Sequence, residues 1–230
     1  MTAAPIHIAG ERLMLTPEGA LVWPATGLLA IADLHLEKGS AHARRGMLLP
    51  PWDSRATLER LAALVRRYAP RIVLALGDSF HDPGGHARLL AADAARLRAI
   101  AGAQRLIWIA GNHDPAPPEG LGGEAMAVFA AGPLVFRHAP ESRPPRMGMG
   151  EIFGHLHPKA AIASRGGTVR RPCFVADARR LILPAFGAYT GGLDVGDPAI
   201  RGCVGAEARA FVLGRERLFS FPLSAFRAGA

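Results

Sequence analysis

The chain has 230 residues, half of them hydrophobic and a fifth charged, which excludes a disordered segment and points to a folded core. Its two cysteines, Cys173 and Cys203, exclude a disulfide-stapled miniprotein. The 27 basic residues outnumber the 19 acidic ones, giving a net charge of +8 that favours a polyanionic partner.

The length suits one domain spanning residues 1–230. Among the bases only Lys38 and Lys159 are lysines. Arginine in place of lysine fits GC-rich codon usage, which leaves the excess of bases over acids unexplained. No apolar run reaches the roughly 18 residues of a membrane helix. The most apolar early stretch, 20–34, contains Pro24 and Asp33 and follows Glu11, Arg12 and Glu18, unlike the basic start of a signal peptide. A soluble cytoplasmic protein with both cysteines reduced is therefore expected.

In chain order, residues 6–8, 13–15 and 20–23 suggest a β-meander, and 27–32 a buried strand ending at Asp33. Asp53, after Pro50-Pro51, is placed to cap a helix in which Leu58, Leu61, Leu64, Val65 and Tyr68 recur at helical spacing. A strand at 72–76 ends at Gly77-Asp78. A helix over 87–100 carries Leu89, Leu90, Leu97 and Ile100, with Gly102 as its stop. A strand at 106–110 ends at Gly111-Asn112. Beyond residue 124 only short apolar runs follow, separated by turn residues, so the second half reads as mostly strand. An α/β fold results, with mixed sheets flanked by helices.

Ligands of open α/β sheets sit beyond the carboxyl ends of strands, and the metal-capable residues cluster at those ends. They are Asp33-Leu34-His35, Gly77-Asp78 with His81 close behind, Gly111-Asn112-His113-Asp114, His138, and Gly154-His155-Leu156-His157. A spacing of two puts Asp33 and His35 on one face of an extended segment. Each group alone is ordinary turn chemistry; the ordered set, each at a strand end, is not. Oxygen and nitrogen donors without thiolates suit manganese, iron, zinc or nickel. They are too many for one tetrahedral ion and fit two divalent ions sharing a carboxylate, the arrangement that hydrolyses phosphate esters with ions about 3.5–4 Å apart.

In this order the motifs resemble those of the calcineurin-like metallophosphoesterases: Asp-x-His, Gly-Asp, Gly-Asn-His-Asp, His and Gly-His-x-His. The resemblance implies a four-layer α/β/β/α sandwich with mixed sheets. It implies that Asp33, His35 and His157 hold one metal, that Asn112, His138 and His155 hold a second, and that Asp78 bridges them. His113 would face the substrate phosphate, with Asp114 orienting it. His138 is followed by Ala139, where many relatives carry glycine. Residues 77–82, 32–39 and 183–192 look like a bacterial subgroup, the ligase-associated DNA damage response endonucleases. That likeness implies DNA as partner and a functional link to a DNA ligase and a helicase; of the ions the donor set suits, manganese is the one expected.

The expected chemistry is hydrolysis of a phosphodiester by metal-activated hydroxide, with His113 or His81 protonating the leaving group. Arg44 and Arg45, soon after the first motif, are the first candidates for contacts to a phosphate backbone. Arg143, Arg146, Arg170, Arg171, Arg179 and Arg180 could extend that path. His42, Tyr189 and Thr190 are placed near the site by resemblance only, and His7 and His86 are read as structural. Two other readings stand beside the DNA endonuclease. One is a metallophosphoesterase of cyclic nucleotides, dinucleoside polyphosphates or nucleotide-lipids. The other is a nucleic-acid-binding scaffold without turnover.

Overall fold

The computed structural model describes residues 2–116, 118–164 and 166–226. The strands β1 (Ala4–Ile8), β2 (Glu11–Leu15) and β3 (Leu21–Trp23) form the expected meander, and β4 (Leu28–Ala32) follows antiparallel to β3. The short helix α1 (Lys38–Ala43) and the long α2 (Asp53–Tyr68) lead to β5 (Ile72–Leu76). Helices α3 (Gly85–Arg88) and α4 (Ala91–Ala103) lead to β6 (Arg105–Ile109), and β7 (Glu124–Met126) completes the first sheet. Its order is β1-β2-β3-β4-β5-β6-β7, parallel from β4 onward. Parallel neighbours need a crossover connection, and α2 and α4 supply it between β4, β5 and β6.

The second half is strand-rich, as its short apolar runs predict. It comprises β8 (Phe129–Ala131), β9 (Leu134–Arg137), β10 (Gly150–Phe153), β11 (Lys159–Ser164), β12 (Gly167–Ala176), β13 (Arg180–Ile182), the one-turn α5 (Pro198–Arg201), β14 (Arg209–Leu213), β15 (Leu218–Pro222) and a 3-10 turn at Leu223–Ala225. The second sheet runs β15-β14-β12-β13-β10-β9-β8, with β11 paired to β12 off this path.

Strand alternation sorts the apolar side chains between layers. Leu28, Ala30, Leu74, Leu76, Ile107 and Ile109 face the second sheet, where Phe136, Ile152, Phe174 and Leu181 meet them. Leu29, Ile31, Val73, Ala75, Leu106 and Trp108 face the helices, under Leu58, Leu61, Leu64, Leu97 and Ile100. The outer face of the second sheet, with Phe153, Cys173, Val175 and Ile182, is covered by Val195, Ile200 and Leu223. The result is the α/β sandwich of two mixed sheets, but its fourth layer is a thin cover of loop, α5 and the 3-10 turn rather than long helices.

Two local readings change. Trp52, not Asp53, is the N-cap of α2; the Asp53 carboxylate is already committed, accepting the Gly39 amide at 3.0 Å. The expected helix over 87–100 is two helices, because Leu89 and Leu90 are extended, with ψ of 132° and 143°. Leu89 turns inward and Leu90 outward, the alternation of a link rather than of a helix. Gly102 lies inside α4, which ends at Ala103 with Gln104 as its C-cap.

Candidate metal centre

Past the ends of β4 and β5 the two chains stay side by side. The Asp33 amide donates to the Gly77 carbonyl, the His35 amide to the Asp78 carbonyl, and the His81 amide to the Leu36 carbonyl. The backbone here is not the extended segment the spacing of two suggests. Asp33, His35 and Asp78 have φ of 53°, 43° and 46°, and His155 and His157 have 66° and 46°. These left-handed positions turn successive side chains into one hollow.

Glycine makes the convergence possible at three motif positions, Gly77, Gly111 and Gly154. A Cβ on Gly77 would lie 2.4 Å from the His138 ring, and one on Gly154 would lie 2.4 Å from Asp33 Oδ2. Bare backbone at these points lets neighbouring strands deliver their side chains together.

Two groups of donors form around this hollow. Asp33, His35 and His157 make one; Asp78, His138 and His155 make the other. His157 Nε2 is 3.4 Å from Asp33 Oδ1 and 3.4 Å from His35 Nε2. Asn112 Oδ1 joins the second group 2.7 Å from His138 Nε2, and His155 Nδ1 stands 3.1 Å from the same nitrogen. Asp78 Oδ2 lies between the groups, 4.0 Å from His35 Nε2 and 3.5 Å from His138 Nε2. A third group, His35, His81 and His113, overlaps the first.

The donor set fits divalent cations. Asp33 Oδ1 is fully buried and makes no hydrogen bond among the described residues. His138 Nδ1 faces the Leu76 carbonyl at 3.1 Å, so that nitrogen carries the proton and Nε2 presents a lone pair. That lone pair meets those of Asn112, His155 and Asp78, an arrangement a cation satisfies. Burial, with the His157 and His113 rings and the Lys38 ammonium nearby, pushes His35 down to about 2. Burial and His138 also lower His155, so these rings stay neutral, the form that ligates metals.

His113 and His81 sit at the rim. The His113 amide donates to Asp78 Oδ1 at 2.9 Å, its Nδ1 meets the His81 carbonyl at 2.9 Å, and its Nε2 faces Asp78 Oδ2 at 4.0 Å. The His81 ring stacks on those of His113 and His42, at 5.5 Å and 22° in each case.

Asp114 does not occupy the orienting position expected of it. Its carboxylate accepts the Phe80 amide at 3.0 Å and braces the turn after β5, while the orienter of His113 is a backbone carbonyl. A backbone acceptor leaves no mark in a sequence. Burial raises Asp114 to about 7, as suits a carboxyl that is half neutral near pH 7.

Arg44 and Arg45 are exposed at the end of α1, beside His42. Arg180 is removed from the expected phosphate path. It is buried, bound to Glu151 at 2.8 Å and to the carbonyls of Cys203, Glu141 and Arg143. Arg170 pairs with Asp194 at 3.6 Å. Thr190 bonds the Gly187 carbonyl within its own turn. His86 packs edge-on against Phe80, a structural role, and His7 is exposed on β1. Lys38, which the sequence offers only as one of two lysines and as part of the 32–39 stretch, lies close enough to lower both His35 and His81.

Residues 27–167 match the family described as calcineurin-like phosphoesterase. Among solved structures, the nuclease MPE of Pseudomonas putida is 26% identical to this chain with a TM-score of 0.73, over 96% of this chain and 100% of that one. YfcE, a phosphoesterase from E. coli, is 15% identical over 85% of this chain and 98% of its own, with a TM-score of 0.45, too remote to bear on function. No curated protein matches the sequence. Among the described residues no helix is long and apolar enough to cross a membrane.

Proposed function

We propose that this chain, which belongs to the calcineurin-like phosphoesterase family, is a metal-dependent phosphodiester hydrolase that cleaves DNA internally and serves DNA repair. Family membership makes it a hydrolase of phosphoester bonds. One observation carries the finer reading: the Asp78 carboxylate stands between two donor groups, within 4.0 Å of His35 Nε2 and 3.5 Å of His138 Nε2. Asp33, His35 and His157 would hold one divalent ion, and Asn112, His138 and His155 the other, with Asp78 shared. Manganese is the expected ion, zinc, iron and nickel the alternatives. Ions so held supply Lewis acidity and lower the pKa of the attacking water.

The protein's own groups complete the chemistry. His113 donates from Nδ1 to the His81 carbonyl, so its Nε2 can hold a proton for the leaving oxygen. His81, stacked on that ring, is the second group able to do so. DNA as substrate is supported by the net charge of +8 and by likeness to a nuclease along nearly the whole chain.

The test is nicking of supercoiled plasmid beside hydrolysis of a small aryl phosphodiester, across manganese, zinc, iron and nickel. Asp78→Asn should lose bound metal and both activities, by more than the roughly 100-fold that loss of a supporting contact costs. Full activity of Asp78→Asn with metal retained would overturn the shared-carboxylate assignment. Aryl ester hydrolysis without nicking would make the substrate a small cyclic nucleotide, dinucleoside polyphosphate or nucleotide-lipid.

A further inference from the structure

The segment between α1 and α2 is the most apolar exposed stretch of the described surface. Met47, Leu48 and Trp52 are 50%, 88% and 57% exposed. Soluble proteins seldom present such a group without a use for it. The segment is basic as well. Arg44, Arg45 and Arg55 form no ion pair among the described residues, and the acid in their midst, Asp53, is buried on the Gly39 amide. Arg55 lies over the Trp52 ring at 5.8 Å.

The segment is braced at both ends and adjoins the metal centre. The Met47 amide returns to the His42 carbonyl at 3.0 Å, and Ser54 is bonded to both the amide and the carboxylate of Glu37 at 2.8 Å. Pro50-Pro51 stiffens the span between. His42, at its root, stacks on His81, which stacks on His113.

We propose that this segment is a nucleobase subsite: Leu48 and Trp52 receive unpaired bases flanking the phosphodiester held at the metals, while Arg44 and Arg45 take the adjoining phosphates. The inference rests on the nuclease reading and deepens it. Aromatic and apolar faces beside arginines are what a nucleic-acid strand needs, since every base has a π-face and every linkage a charge. A lipid surface would also accept leucine, tryptophan and arginine. Continuity with a phosphodiester site through His42 and His81 favours the nucleic acid.

The experiment compares a labelled oligonucleotide with an abasic strand of equal length, binding measured with the full chain in the absence of metal. Trp23 and Trp108 are buried, so quenching of tryptophan emission reports on Trp52. The expected results are quenching by the oligonucleotide, and about tenfold weaker oligonucleotide binding in Leu48→Ala and Trp52→Ala, with little change for the abasic strand. With metal, the ratio of oligonucleotide cleavage to small aryl diester hydrolysis should fall in step. Equal wild-type affinity for the two strands, or variants that bind the oligonucleotide as wild type does, would overturn the subsite. A blue shift of the tryptophan emission with phosphatidylserine vesicles, without quenching by the oligonucleotide, would overturn it in favour of a lipid surface. If the wild type binds bases through Trp52 but cleaves no strand, the nuclease reading falls and the subsite stands.

Discussion

Asp33, His35, Asp78, His155 and His157 hold a left-handed backbone, a conformation that costs a non-glycine residue about 1–3 kcal/mol. Strain gathered on five candidate ligands argues that their directions, rather than their stability, were selected. The residue types and order of the site were legible in the sequence because metal chemistry limits them to Asp, Asn and His. The backbone that aims them was not, since a spacing of two reads equally as a pleat. Asp114 is the residue whose role changes most. With its carboxyl raised to about 7 and turned to the Phe80 amide, it resembles an amide more than an anion. Asp114→Asn should keep turnover within about threefold of wild type, whereas Asp114→Ala should lose about 1–3 kcal/mol of stability by orphaning that amide. His113→Ala should fold normally and lose phosphoesterase activity. Thermal melts and turnover rates of the three variants check this, and an Asp114→Asn enzyme as inactive as His113→Ala would return the carboxylate to the imidazole.

Among the elements, the buried strands β4, β5 and β6 were plain from continuous apolar runs with polar ends, the pattern a two-faced parallel sheet requires. What escaped was decided by tertiary contacts: the link at Leu89-Leu90 and the helix cap at Trp52, where Asp53 had another partner. The break between α3 and α4 lets Arg88 reach back. It grips both oxygens of Asp82, at 2.9 and 2.7 Å, and the Ser40 hydroxyl of α1 at 2.9 Å. This clasp steadies the helix that carries His42. The Arg88 hydrogen bonds hold the Asp82 carboxyl below its ordinary value. A carboxyl lowered by folding stabilises the fold above its unfolded pKa of about 3.9, and that contribution is lost as pH falls through the folded value. Arg88→Ala should therefore melt lower than wild type at pH 7, by a difference worth about 1 kcal/mol. The gap should close as the pH drops below about 4; a gap constant down to pH 2 would mean that Arg88 acts by packing alone.

For the whole molecule, the excess of bases over acids lies in the arginines that have no acidic partner. Arg180 is occupied with Glu151, and Arg88 and Arg105 with Asp82 and Glu124. Arg44, Arg45 and Arg55 are among the arginines that form no ion pair among the described residues, and Arg44 and Arg45 follow directly on His42, which stacks on His81. Metals at Asp33 and Asp78 would turn this carboxylate-bearing hollow positive, adding to the attraction of a polyanion toward Arg44 and Arg45 beside it. A strand bound there displaces counterions, and its affinity falls with salt by a slope of about −0.7 for each phosphate contacted. Oligonucleotide binding should therefore weaken steeply between about 50 and 200 mM salt. Removing both Arg44 and Arg45 should flatten that slope by about 1.4, the contribution of two phosphate contacts. Removing the exposed Arg215, on the hairpin between β14 and β15 at the edge of the second sheet, should leave the slope unchanged. A slope insensitive to Arg44 and Arg45 would place the strand elsewhere on the surface, whatever the chemistry at the metals.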